Sequence, residues 1–174
     1  PHLAFYLRNL DWPQFVKDVG FAGFAVDAEY DIALSFAGED RPFAELLYDY
    51  LSDEELAVFY DFAEQDRILA ENIEDYLAPI YESKARFVVA VLGERYGEKR
   101  WTIFESDKFK HRIDQGEVIP VWSTKVPTSA FDKTRDIGAL KFDPDGDLDL
   151  QAQKCAGVIA KKIATDTQLR FPLG

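Results

Sequence analysis

Within the 174-residue chain, the run Trp101-Thr102-Ile103-Phe104-Glu105 carries the residue types best suited to chemistry. On a helix its i, i+4 spacing puts the indole and the carboxylate on one face, one turn apart. The apolar stretch Arg86 to Leu92 precedes it and reads as a buried strand. Gly93 to Arg100, a polar loop with two glycines, connects the two. An aromatic platform beside a lone carboxylate, at the carboxyl end of a strand, is suited to cleaving a glycosidic bond in a flat, cationic substrate.

Such a pair needs elements that hold it. Tyr30 to Phe36 predicts a short apolar strand, and Ala37-Gly38-Glu39-Asp40 a turn and helix start. The helix runs to about Leu51, with Phe43, Leu46, Leu47 and Tyr50 at helical spacing. A second strand is expected from Leu56 to Tyr60, then a long polar loop, Asp61 to Glu71, and a helix from Asn72 to Ser83. Ala85 to Leu92 is continuously apolar and rich in valine, as expected of a strand covered on both faces. After the Trp101 helix, which ends near Gly116, Val118 to Trp122 and Ala139 to Phe142 predict two more strands. Leu148 to Thr165 predicts the last helix, with Ala156, Ile159, Ala160 and Ile163 on one face.

Five strands alternating with helices indicate an α/β fold, a three-layer sandwich around a parallel sheet. In a flavodoxin-like strand order, ligands bind beyond the carboxyl ends of the first and third strands, where the order reverses. The expected crevice therefore lies between Ser35–Arg41 and Gly93–Trp101, toward which Glu105 would be brought.

Composition narrows the field. Nearly half the residues are apolar (47%) and 14% are aromatic, enough for a sizeable core. The formal charge of −12 argues against nucleic-acid contact, which needs a basic surface, and against binding to an anionic membrane. No apolar run reaches the roughly 18 residues of a membrane span, and a cytoplasmic location is expected. The single cysteine, Cys155, excludes an internal disulfide and falls in a helical pattern as a core residue. No metal is expected. The acidic run Asp143 to Asp149 has the look of a calcium loop, but its sixth residue is Leu148 and its twelfth Lys154, where glycine and glutamate are required. It reads instead as a turn feeding a helix N-terminus. The chain begins at Pro1 and lacks methionine, which suggests a piece of a longer protein. Residues 1–29, with a helix start at Asp11-Trp12-Pro13, read as an N-terminal extension or the remnant of an upstream domain, and residues 30–174 as the main domain.

Asp31-Ile32-Ala33-Leu34-Ser35-Phe36-Ala37-Gly38-Glu39-Asp40 resembles the first box of Toll/interleukin-1 receptor (TIR) domains, especially bacterial ones. The loop Asp61 to Glu71 sits where that family places a mobile loop, and Val118 to Trp122 is similar to its fourth strand. Trp101 to Glu105 matches the W-x-x-x-E pattern of its NAD-cleaving members. The resemblance covers about residues 30–165. It implies a flavodoxin-like fold, NAD hydrolysis or cyclisation in bacterial immunity or signalling with NAD as substrate and no cofactor, and self-association through TIR–TIR contacts. The alternative implied is a non-catalytic interaction module that only recruits other TIR domains.

The chemistry needs little more than one acid. Nicotinamide leaves the ribose as a neutral molecule, so no general acid is required. An ionised carboxylate can stabilise the positive sugar and hydrogen-bond its hydroxyls. Glu105 is the catalytic candidate and Trp101 a wall of the pocket. Phe36, Ala37 and Gly38 would let backbone approach the ligand, or form only a tight turn capped by Asp40. Arg41, Arg67, Arg95 and Arg100 fall where one or two could hold a pyrophosphate, although Glu39, Asp40, Glu64, Asp66, Glu94 and Glu98 are interleaved with them. Phe62 and Tyr96 are candidate base-stacking groups.

Overall fold

A computed structural model describes residues 28–60, 77–96, 107–127 and 138–170. Its strands are β1 (Tyr30–Phe36), β2 (Val58–Phe59), β3 (Ala85–Leu92), β4 (Val118–Ser123) and β5 (Leu140–Phe142). All pair in parallel, in the order β2-β1-β3-β4-β5. This is the expected five-stranded α/β sheet, with its order reversing between β1 and β3.

Alternation along the strands builds two cores. Ile32, Leu34 and Phe36 of β1 face the same way as Phe87, Val89 and Val91 of β3. The helices α1 (Arg41–Asp53) and α3 (Leu148–Arg170) cover them with Phe43, Leu47 and Leu51, and with Ala152, Ala156, Ile159 and Ile163. The Phe43 and Phe142 rings stack at 4.2 Å between centroids. On the opposite face Ala33, Val88, Ala90 and Leu92 meet Leu77, Ile80, Tyr81 and Ile113. Ile113 comes from α2 (Asp107–Asp114). Cys155 is buried in the first core, as expected, and burial pushes its thiol pKa up.

Local chemistry sets the element ends. Pro42 lies in the first turn of α1, where a missing N–H costs nothing. The helix closes on a left-handed residue, Glu55, at φ 61°. The Glu55 N–H donates to the Ser52 carbonyl (3.0 Å) and the Leu56 N–H to that of Leu51 (3.4 Å). This is the paired closure usually built on glycine. β2 is shorter than expected because only Val58 and Phe59 pair with β1. α3 continues past Thr165 to Arg170, since no glycine or proline interrupts the sequence before Pro172. The segment leading into β3 ends in a wide π-type turn, Ile80–Lys84.

Arg112 of α2 fastens that turn to the sheet. It is 5% exposed. Its guanidinium donates to the carbonyls of Tyr81 (2.6 Å), Ala85 (2.7 Å) and Arg86 (2.8 Å) and pairs with Glu117 at 2.9 Å. Four acceptors thus compensate a buried charge that would otherwise be costly.

Candidate functional site

β1 and β3 leave the sheet side by side, and their exits are joined at three places. Beyond β1 the chain makes a 3-10 turn, Gly38–Asp40, closed by the Asp40 N–H donating to the Ala37 carbonyl at 2.9 Å. Beyond β3 it turns at once, the Tyr96 N–H donating to the Gly93 carbonyl at 3.2 Å. Between these turns the Asp40 carboxylate fills the space into which any side chain on Gly93 would project. Glu39 pairs with Arg95 at 3.1 Å on the open side. Beneath them the Ser35 hydroxyl and the Tyr96 phenol share a buried hydrogen bond of 2.7 Å.

The electrostatics of this edge are mixed. Asp40 Oδ2 is shielded from solvent and has no hydrogen-bond partner among the described residues. Desolvation first, then the charges of Glu39 and Glu94, push the Asp40 carboxyl up to about 6. Asp40 stands at the N-cap of α1, but its side chain makes no cap hydrogen bond, contrary to the turn-capping role considered from the sequence. Further along, Lys125 pairs with Asp145 at 2.7 Å. The 143–149 run is the turn and helix start expected: the Gly146 N–H donates to the Asp143 carbonyl (3.0 Å), and Asp147 accepts from the Leu150 N–H (3.0 Å). Among the described residues no cluster of histidine, cysteine and acids could hold a metal.

The predicted residues fare as follows. Phe36 and Ala37 lie at the β1 exit and are 2% and 1% exposed, backbone included. Arg41 is partly buried, with its guanidinium 5.2 Å from the centre of the Phe36 ring and 5.8 Å from that of Tyr60. It also donates to the Tyr60 phenol oxygen at 3.2 Å. Arg95 is engaged by Glu39. Tyr96, considered for base stacking, is instead buried against Ser35. Phe62, Trp101, Glu105, Arg67 and Arg100 lie outside the described residues.

Sequence reasoning overlooked Ser35. Its signal was a hydroxyl among the apolar residues Ile32 to Phe36, which must find a partner when buried. Two concavities lie at the other, amino edge of the sheet, one of about 110 Å³ and one, more open, of about 630 Å³. Arg86 lines both and is tied to Asp31 (3.3 Å), Asp166 (3.8 Å) and Thr167 (3.0 Å). Parallel sheets bind ligands at their carboxyl edge, so the β1–β3 exits are the stronger candidate.

Comparison with known proteins agrees with this geometry. The family model described as "TIR domain" matches residues 32–153. The chain is similar to the 3' cyclic ADP-D-ribose synthase AaTIR of Aquimarina amphilecti, with 35% identity over 116 residues. That match covers 65% of this chain and 33% of the relative, so the chain spans about a third of the curated relative's length. Among solved structures, a metazoan TIR-STING receptor from C. gigas aligns with a TM-score of 0.59 at 15% identity. The alignment covers 79% of this chain and 41% of the receptor. The same receptor in complex with 2',3'-cGAMP aligns with a TM-score of 0.58 over 75% of this chain and 40% of the receptor, again at 15% identity. With a family match spanning β1 to the start of α3 and the parallel order of the sheet, the chain belongs to the TIR domain family.

Proposed function

We propose that this TIR domain cleaves the nicotinamide–ribose bond of NAD, with Glu105 as the catalytic carboxylate. The observation that carries the reading is the juxtaposed pair of strand exits at the switch point, from the second of which the chain runs into Trp101-Thr102-Ile103-Phe104-Glu105. Similarity to a 3' cyclic ADP-D-ribose synthase supports the same substrate.

In this mechanism the leaving group departs uncharged, and the ionised Glu105 stabilises the cationic ribose. Trp101 walls the pocket. Phe36 and Ala37 back the ligand pocket from within the β1 exit, Arg41 holds the pyrophosphate, and Phe62 stacks on a base. Water attack yields ADP-ribose, and attack from within the molecule yields a cyclic isomer. The similarity to a cyclase favours the latter. The loop 61–71 gates the site or links one copy to the next. Residues 1–29 are an N-terminal extension or the remnant of an upstream domain, and residues 30–174 the TIR domain. The setting is bacterial immunity or signalling in the cytoplasm. Among the described residues no helix is long and apolar enough to cross a membrane.

The test is nicotinamide release from NAD at high protein concentration, followed by identification of the sugar product. Wild-type protein should release nicotinamide and Glu105→Gln should not. If both leave NAD intact while the chains self-associate, the domain is a recruiting module.

A further inference from the structure

Two turns meet where β1 and β3 leave the sheet, and a carboxyl group stands between them. Asp40 ends the turn after β1, and its carboxyl packs on Gly93, the first residue after β3. Its Oδ2 is dry and has no hydrogen-bond partner among the described residues. Such an oxygen is tolerable on a neutral acid and costly on a carboxylate. The nearest acids add to that cost. Glu39 precedes Asp40 in its own turn, and Glu94 follows Gly93 in the other. The cations of these elements have acidic or phenolic partners. Arg95 of the β3 exit pairs with Glu39 at 3.1 Å. Arg41, at the start of α1, donates to the Tyr60 phenol oxygen at 3.2 Å. Lys125, beyond β4, pairs with Asp145 at 2.7 Å and feels the charge of Glu94.

We propose that Asp40 is a proton-operated latch: with its proton the carboxyl holds the β1 exit against the β3 exit, and on losing it the two turns part and water enters between them. Neutral, the acid can lie on the Gly93 backbone without a counter-charge. Ionised, it regains solvation only by leaving Gly93. Each turn is closed by a backbone hydrogen bond, Asp40 N–H to the Ala37 carbonyl (2.9 Å) and Tyr96 N–H to that of Gly93 (3.2 Å), so either can yield locally. Desolvation first, then Glu39 and Glu94, raise the carboxyl from 3.8 to about 6. The shut form therefore holds the proton more tightly than the open one, and rising pH favours opening. A rise of about two units allows at most about a hundredfold change in the ratio of open to shut, less for a carboxyl that keeps some solvent. The device concerns only the two strand exits and stands whether or not the domain cleaves NAD.

The experiment is amide hydrogen exchange on the whole chain, read by NMR and corrected for intrinsic rates, at pH 5 and pH 7.5, with and without sub-denaturing urea. Protection of the Asp40 and Tyr96 amides should fall about ten- to a hundredfold between the two pH values. A local opening exposes little surface, so this exchange should hardly respond to urea, whereas exchange of the β3 amides Val88 to Val91 should rise with it. Asp40→Asn, neutral at every pH, should keep both turns protected throughout. Glu94→Gln removes one like charge and should move the midpoint of opening below pH 6. Turn amides that share the urea dependence of β3 would mean that the proton only stabilises the fold as a whole, and overturn the proposal. So would turns equally protected at both pH values, or a wild-type pH response in Asp40→Asn. Should Asp40→Asn not fold, Glu94→Gln decides: a midpoint left where it was overturns the latch.

Discussion

The carboxylate of Asp40 occupies the space above Gly93 where a β-carbon would otherwise lie. One residue follows β1 and the other follows β3, so their contact sets how closely the two strand exits approach. Gly93→Ala should therefore lose about 1–3 kcal/mol by overpacking. In an Asp40→Ala background the same change should be neutral or slightly stabilising, because alanine restricts the unfolded chain. Urea unfolding of the four proteins measures the coupling. Equal penalties in both backgrounds would show that the contact does not define the turn.

Asp40 also gives the fold a pH dependence of known sign. Its folded pKa is raised from 3.8 to about 6 by desolvation, Glu39 and Glu94. The folded chain therefore holds a proton that the unfolded chain releases near pH 4. The stabilisation is complete below that pH and is lost as pH rises through 6. At pH 8 Asp40→Asn should be more stable than wild type by about 1–2 kcal/mol, a figure reduced for the partial solvation of the carboxyl. At pH 3.5 the gap should close. A difference that stays constant between these pH values would contradict the assignment.

Arg112 holds three carbonyls and Glu117 in a buried setting. Arg112→Met should cost about 3–5 kcal/mol, since it strands a carboxylate and leaves buried carbonyls unpaired. Arg112→Lys keeps the charge but lacks the planar fork that reaches several acceptors at once, and should recover only part of the loss. Denaturant midpoints decide this, and a wild-type midpoint for the methionine variant would refute it.

At the end of α1, Glu55 adopts a left-handed conformation that glycine enters without steric cost. Glu55→Gly should raise stability by about 0.5–1 kcal/mol, the cost of a side chain at that position less the added freedom of the unfolded chain. A fall in Tm would mean that the Glu55 side chain contributes more than its strain.

The strands were legible where apolar runs met clear boundaries. β1 begins and ends where its alternation does, and β3 spans the valine-rich run up to Gly93. β2 was overestimated because its sequence carries no sign of how many residues find partners at a sheet edge. The π-type turn at Ile80–Lys84 was not foreseen, since its sequence carries ordinary helix signals. At the candidate site, periodicity could assign Ser35 to a face but could not name a partner 61 residues away. Tyr96 therefore looked like a ligand-stacking ring, and Asp40 like a helix cap. Strand order, by contrast, was legible, and the β1 and β3 exits do lie side by side.

The outermost strands contribute two and three residues, Val58–Phe59 on one side and Leu140–Phe142 on the other. Such brief borders give an incoming chain almost no unpaired backbone to copy. If copies of this protein associate as the resemblance implies, ribbon-like extension of the sheet is disfavoured. Side-chain surfaces on helices and turns would then supply the contacts, which single substitutions could tune or break while the sheet itself stays intact.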